Sequence, residues 1–161
     1  MLSTQEAEQR CADLMAKARA MGADAGDAVY LGRSSQSVEM RLGNLGSVDR
    51  SESEHLGLRV FVGRRSATVG SSALDSASLD ELAERAVVMA KGAPQDPYGG
   101  LAPEDMLMKG PPADLDLVSP TPEPEALRDT ALEVEDAARS VEGVTNSEGA
   151  SASFGRGVVA L

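Results

Sequence analysis

Leu58-Arg59-Val60-Phe61-Val62-Gly63-Arg64-Arg65-Ser66-Ala67-Thr68-Val69-Gly70-Ser71 decides the fold of this 161-residue chain. Leu58, Val60 and Val62 alternate with Arg59 and Phe61, the two-residue period of a strand with distinct faces. Gly63-Arg64-Arg65 then turns the chain and 66–71 returns, which reads as a β-hairpin. Upstream, Ser37-Val38-Glu39-Met40-Arg41-Leu42 alternates polar and apolar residues, as a strand with one wet face does. Gly43-Asn44 is a turn signal, 45–52 reads as a weaker, more polar strand, and 28–31 is a short apolar run suited to a buried strand.

Helices flank these strands. Ser3 with Glu6 forms a capping box, and Ala7, Cys11, Leu14, Met15 and Ala18 follow at helical spacing until Met21-Gly22 closes the helix. Ser78 with Glu81 reads as a second capping box, ahead of a stripe of Leu79, Leu82, Ala83, Ala86, Val87 and Ala90 that ends at Lys91-Gly92. Between 93 and 120, Pro94, Pro97, Pro103, Pro111, Pro112 and Pro120 rule out a long regular element, leaving an extended connector. Thr121-Pro122-Glu123 opens a third helix with the stripe Leu127, Thr130, Ala131, Val134, Ala137, Ala138 and Val141. Residues 143–154 form a Ser/Ala-rich strand candidate, which Gly155-Arg156-Gly157 turns into the closing run Val158-Val159-Ala160-Leu161.

Strands in succession between helices predict an α+β fold. The expected architecture is an antiparallel sheet of about four strands packed with helices, a Pro-rich connector, a third helix and the start of a second hairpin. The segments are 1–92, an N-terminal α+β domain; 93–120, the connector; and 121–161, the opening of a second, truncated unit. A strand-like run ending at Leu161 without a partner strand is read as the front part of a larger protein.

Fifteen basic against twenty-six acidic residues give a formal net charge of -11, and basic residues nowhere cluster with aromatics. That balance argues against nucleic-acid binding. Tyr30, Phe61, Tyr98 and Phe154 are the aromatics, so the core must come from Val, Leu, Met and Ala. One Cys permits no internal disulfide and fits a reducing, cytoplasmic setting. The N-terminus lacks the basic and apolar regions of a signal peptide, and no stretch is long enough to span a bilayer.

His55 is the only His. Glu54 and His55 are adjacent in a strand and point to opposite faces, so they do not converge on a metal, and His55 reads as a surface residue at a strand end. Cys11 lies in the apolar stripe of the first helix, where a buried thiol is inert. Gly43-Asn44-Leu45-Gly46 and Gly155-Arg156-Gly157 match no phosphate-binding fingerprint and read as turns. The acidic positions Glu6, Glu8 and Asp13, then Asp80, Glu81 and Glu84, then Glu133, Glu135 and Asp136 read as solvated helix faces. No catalytic, cofactor-binding or metal residue is assigned. Open sheet edges could accept an extended peptide, although the rest of a longer protein covering them is the weightier reading.

The ordered series Ser37-Val38-Glu39-Met40-Arg41-Leu42-Gly43, Gly57-Leu58-Arg59-Val60-Phe61-Val62-Gly63-Arg64-Arg65 and Gly70-Ser71-Ser72 resembles the N-terminal domain of TldD/PmbA proteins. The likeness continues through 79–90 into Asp96-Pro97-Tyr98-Gly99-Gly100-Leu101, an element closer to the PmbA (TldE) branch. The resemblance implies a cytoplasmic TldD–TldE heterodimer, a zinc metallopeptidase acting on unfolded or extended peptides and also called a modulator of DNA gyrase. It places zinc in the C-terminal part of a TldD partner and none in this chain, which would be the non-metal-binding subunit. The alternative it leaves open is a non-proteolytic regulatory binding module of a toxin–antitoxin or DNA gyrase pathway.

Overall fold

The computed structural model describes residues 1–111 and 113–161; Pro112 of the expected connector lies outside the described residues. In order along the chain come α1 (Thr4–Ala20), β1 (Ala25–Arg41), β2 (Asn44–Val62), β3 (Arg65–Ser71), α2 (Ser76–Gly92), a 3-10 turn (Glu104–Met106), α3 (Pro124–Arg139) and β4 (Ala150–Ala160). The fold is α+β, with a four-stranded antiparallel sheet in the order β3-β2-β1-β4. β2 and β3 form the hairpin expected from 58–71, in the register Leu58↔Val69 and Val60↔Ala67. Its turn is fixed by Gly63, at φ 58, whose N–H donates to Asp24 Oδ2 at 2.7 Å.

The strands differ from the sequence reading in length. The runs 28–31 and 37–42 fall in the single 17-residue β1, except Leu42, which lies in the turn after it, and 45–52 joins 58–62 in the 19-residue β2. Gly155-Arg156-Gly157 does not turn: β4 runs through it, so no second hairpin begins there. Virtual side chains on Gly149, Gly155 and Gly157 would meet the carbonyls of Met40, Ser34 and Gly32 in turn, as expected for β4 running antiparallel beside β1. The final apolar run thus has β1 as its partner.

Two compact units divide the chain: Met1–Gly32, Ser53–Pro111 and Gly157–Leu161 form the first, Arg33–Glu52 and Pro112–Arg156 the second. In the first, Ala7, Cys11, Leu14 and Ala18 of α1 and Leu79, Leu82, Ala86 and Ala90 of α2 bury against Ala28, Tyr30, Leu56, Leu58 and Val60. The alanines among these helix residues leave room for α1 and α2 to pack on the sheet, consistent with a chain that has few aromatics to fill space. Both halves of the Ser3–Glu6 capping box are present. Asp75, not Ser78, caps α2: its carboxylate accepts the Ser78 N–H at 3.0 Å, and hydrogen bonding to Ser78 holds its pKa below the ordinary value. Asp75→Ala is therefore expected to lower the melting temperature by about 3 °C. Ser78→Ala should cost less, and an equal or larger fall in circular-dichroism melts would return the cap to Ser78.

In the second unit, Val38 and Met40 of β1 pack with Leu127 and Ala131 of α3, joined by Leu132, Ala152 and Phe154. The expected stripe of α3 is only partly buried. Val134 and Val141 are exposed, and the third buried position is Glu135. The stripe is thus 127-131-135, one residue in each successive turn.

Candidate functional site

Glu135 is 1% exposed, against the expectation of a solvated face. Its Oε1 accepts the Leu42 N–H at 2.7 Å and its Oε2 the Gly43 N–H at 3.0 Å. Leu42 and Gly43 form the β1–β2 turn at φ 50 and 76, both in the left-handed region that two-residue hairpins require. Leucine pays a steric cost there, and it persists where the surroundings over-determine it. The carboxylate supplies that constraint. The Gly43 and Leu42 N–H groups, in that order, hold its pKa below the ordinary carboxylate range.

At the start of α3 the second unit has an open cleft of about 330 Å3. Ser34, Ser35 and Gln36 of β1, Arg50 of β2, Pro122 and Phe154 line it. The Gln36 amide donates to the Pro122 carbonyl at 2.7 Å, tying the approach to α3 to the strand. α3 begins at Pro124 without a side-chain cap on its first N–H groups. The cleft therefore combines hydroxyls, one guanidinium, the Glu123 carboxylate and one aromatic face.

In the first unit, Tyr30 is fully buried and its hydroxyl donates to Glu54 Oε1 at 2.5 Å, while the Leu2 N–H donates to the same oxygen at 3.0 Å. The Tyr30 bond is the main cause of the lowered Glu54 pKa. His55 is exposed, as expected, but sits within the long β2 and not at a strand end. Its imidazole covers Gly70, where any Cβ would collide with it. Glycine in a strand interior is explained here by a ring that takes the place of its side chain. Arg59 forms a two-point ion pair with Asp27 on the exposed side of β2 and lies 5.5 Å from the Phe61 ring centroid.

Among the described residues no group of three or more His, Cys, Asp or Glu could hold a metal ion. Cys11 is buried, and its thiol donates to the Ala160 carbonyl at 3.7 Å. Burial pushes the thiol pKa up. Labelling of Cys11 by a thiol reagent is expected to run at least about 100-fold slower in native buffer than in denaturant; comparable rates would show that α1 does not pack as described.

Residues 26–90, which hold β1, the β2–β3 hairpin and most of α2, match the sequence profile of a family described as PmbA/TldA metallopeptidase domain 1. That segment is similar to the first domain of PmbA/TldD proteins. Solved structures carry the same fold across most of the chain. A candidate modulator of DNA gyrase from Bacteroides thetaiotaomicron matches 97% of the chain at 21% identity and a TM-score of 0.79. TldE from Thermococcus kodakarensis matches 92% at 16% identity and a TM-score of 0.62. A candidate modulator of a DNA gyrase from Thermotoga maritima matches 98% at 16% identity and a TM-score of 0.56. No curated protein sequence matches the chain. The chain spans 36%, 37% and 34% of the lengths of these three structures.

The residues singled out from sequence, Cys11, His55 and the glycine turns, are not brought together. Gly43 turns the chain as expected, while Gly155 and Gly157 lie within β4. Among the described residues the buried charged side chain is instead Glu135, while the buried Tyr30 bonds a half-buried Glu54. The spacing of Leu127, Ala131 and Glu135 is a signal that could have found the first. Among the described residues no helix is long and apolar enough to cross a membrane.

Proposed function

We propose that this chain is the N-terminal portion of a TldE-like, non-metal-binding subunit that pairs with a zinc-bearing TldD-like subunit to degrade unfolded or extended peptides in the cytoplasm. The match of residues 26–90 to the first domain of a metallopeptidase family carries the reading. The likeness of the fold to TldE supports the choice of branch. In this role the chain contributes shape and binding surface, such as the Ser34–Gln36 and Arg50 cleft, and the zinc chemistry belongs to the partner.

A second reading is a regulatory binding module without proteolysis, favoured by the gyrase-modulator description of two structural relatives. Mixing the full-length protein with a TldD-like subunit and an unfolded peptide separates the two. The proposal expects zinc-dependent cleavage by the pair that chelation abolishes. No cleavage by the assembled pair, with or without zinc, would sink it in favour of the regulatory module.

A further inference from the structure

Among the described residues of the second unit, the stretch ahead of α3 is unusually apolar for chain in water. Leu115, Leu117 and Val118 are 69%, 81% and 83% exposed, and no helix or strand includes them. Burying such side chains is worth about 1.5–3 kcal/mol each, so three exposed on irregular chain are a standing drive toward a partner surface. Asp114 and Asp116 are interleaved with the two leucines, and the Asp116 N–H donates to Asp114 Oδ1 at 3.0 Å. An apolar ridge flanked by carboxylates fits an apolar groove with a basic rim.

Where such a groove lies is indicated by size. The chain accounts for only 34–37% of the length of its structural relatives, and its matched segment is the family's first domain. We infer that residues 114–118 are a docking strap that seats Leu115, Leu117 and Val118 in a basic-rimmed apolar groove on a following domain of the same polypeptide. The inference rests on the reading of the chain as the N-terminal portion of a longer subunit. The strap would then lock the two domains together, and the aspartates would select the groove's basic rim over other apolar surfaces.

Hydrogen exchange on the full-length polypeptide tests this. At nanomolar-to-micromolar concentrations and without any partner, amides 114–118 are expected to exchange at least about tenfold slower than the intrinsic rate of unstructured chain. Leu115→Ser combined with Leu117→Ser should return them to the intrinsic rate while α1 and α2 stay protected. In 1 M salt the protection should weaken as the carboxylate–basic attraction is screened.

Intrinsic-rate exchange in the wild-type full-length protein overturns the inference. So does protection that depends on protein concentration, which would mean a second copy, or protection that appears only on adding a TldD-like subunit. An open reading frame that ends at Leu161 overturns it together with the reading of the chain as a portion of a longer subunit. A longer reading frame whose pair shows no zinc-dependent cleavage sinks only the proposed peptidase role and leaves the strap standing.

Discussion

Replacing Glu135 with alanine is expected to lower the melting temperature by about 5–10 °C. The carboxylate meets two backbone N–H groups of a turn whose Leu42 sits at φ 50. Its removal leaves both donors facing an emptied site and withdraws the constraint on a strained residue. Glu135→Gln keeps the shape but presents an amide NH2 to one of the two donors, so it should recover only part of the loss. Hydrogen exchange at Leu42 and Gly43 should rise with the fall in melting temperature. A change of under about 1 °C for the alanine variant would show that the turn holds itself.

The same carboxylate sets an acid limit. Its folded pKa is depressed, so its stabilisation is complete above the unfolded value of about 4.3 and is lost as pH falls through the lower folded value. Glu54, lowered chiefly by the Tyr30 hydroxyl, acts in the same direction. The melting temperature is therefore expected to be flat with respect to these groups from about pH 8 to pH 5 and to fall steeply below. The Glu135→Gln variant should show a shallower acid fall, because one of the groups that must be protonated is gone.

Much of this fold was legible because alternation survives in the strands. Ala28, Tyr30, Val38 and Met40 are buried and all even-numbered, which is the parity of one uninterrupted β1. Gly32-Arg33-Ser34-Ser35-Gln36 reads as a break since its residues are polar or small, yet it preserves that parity. The same holds in β4, where Ala152, Phe154, Val158 and Ala160 keep one parity across Gly155-Arg156-Gly157. Glycine permits a turn but does not require one, and pairing with β1 decides the outcome.

The candidate site was less legible, for a different reason. The partners of Glu135 are backbone N–H groups 92 and 93 residues away, and a backbone donor leaves no residue-type signature. Glu133, Glu135 and Asp136 look alike in sequence, and only the phase of Leu127 and Ala131 distinguishes the middle one. Likewise, the choice of Asp75 over Ser78 as cap turns on which residue leaves helical geometry first, a one-turn shift that composition does not fix.

Leu58→Ala is expected to destabilise the first unit by about 3–5 kcal/mol, whereas Arg59→Ala on the next residue should cost no more than about 1 kcal/mol. Leu58 is 1% exposed in the cluster that joins α1, α2 and the sheet, so truncation leaves a cavity that small neighbours such as Ala83 and Ala86 cannot fill. Arg59 points the other way and pairs with Asp27 in solvent, where screening leaves little net gain. Urea unfolding should show the midpoint of Leu58→Ala shifted far below that of Arg59→Ala, with the small Arg59 effect shrinking further in 1 M salt. The contrast isolates what the hairpin's alternation does. Adjacent residues of one strand differ several-fold in their hold on the fold, because one faces two helices and the other faces water. Equal losses for the two variants would mean that β2 presents its faces in the opposite sense, and the placement of α1 and α2 on the sheet would fall with it.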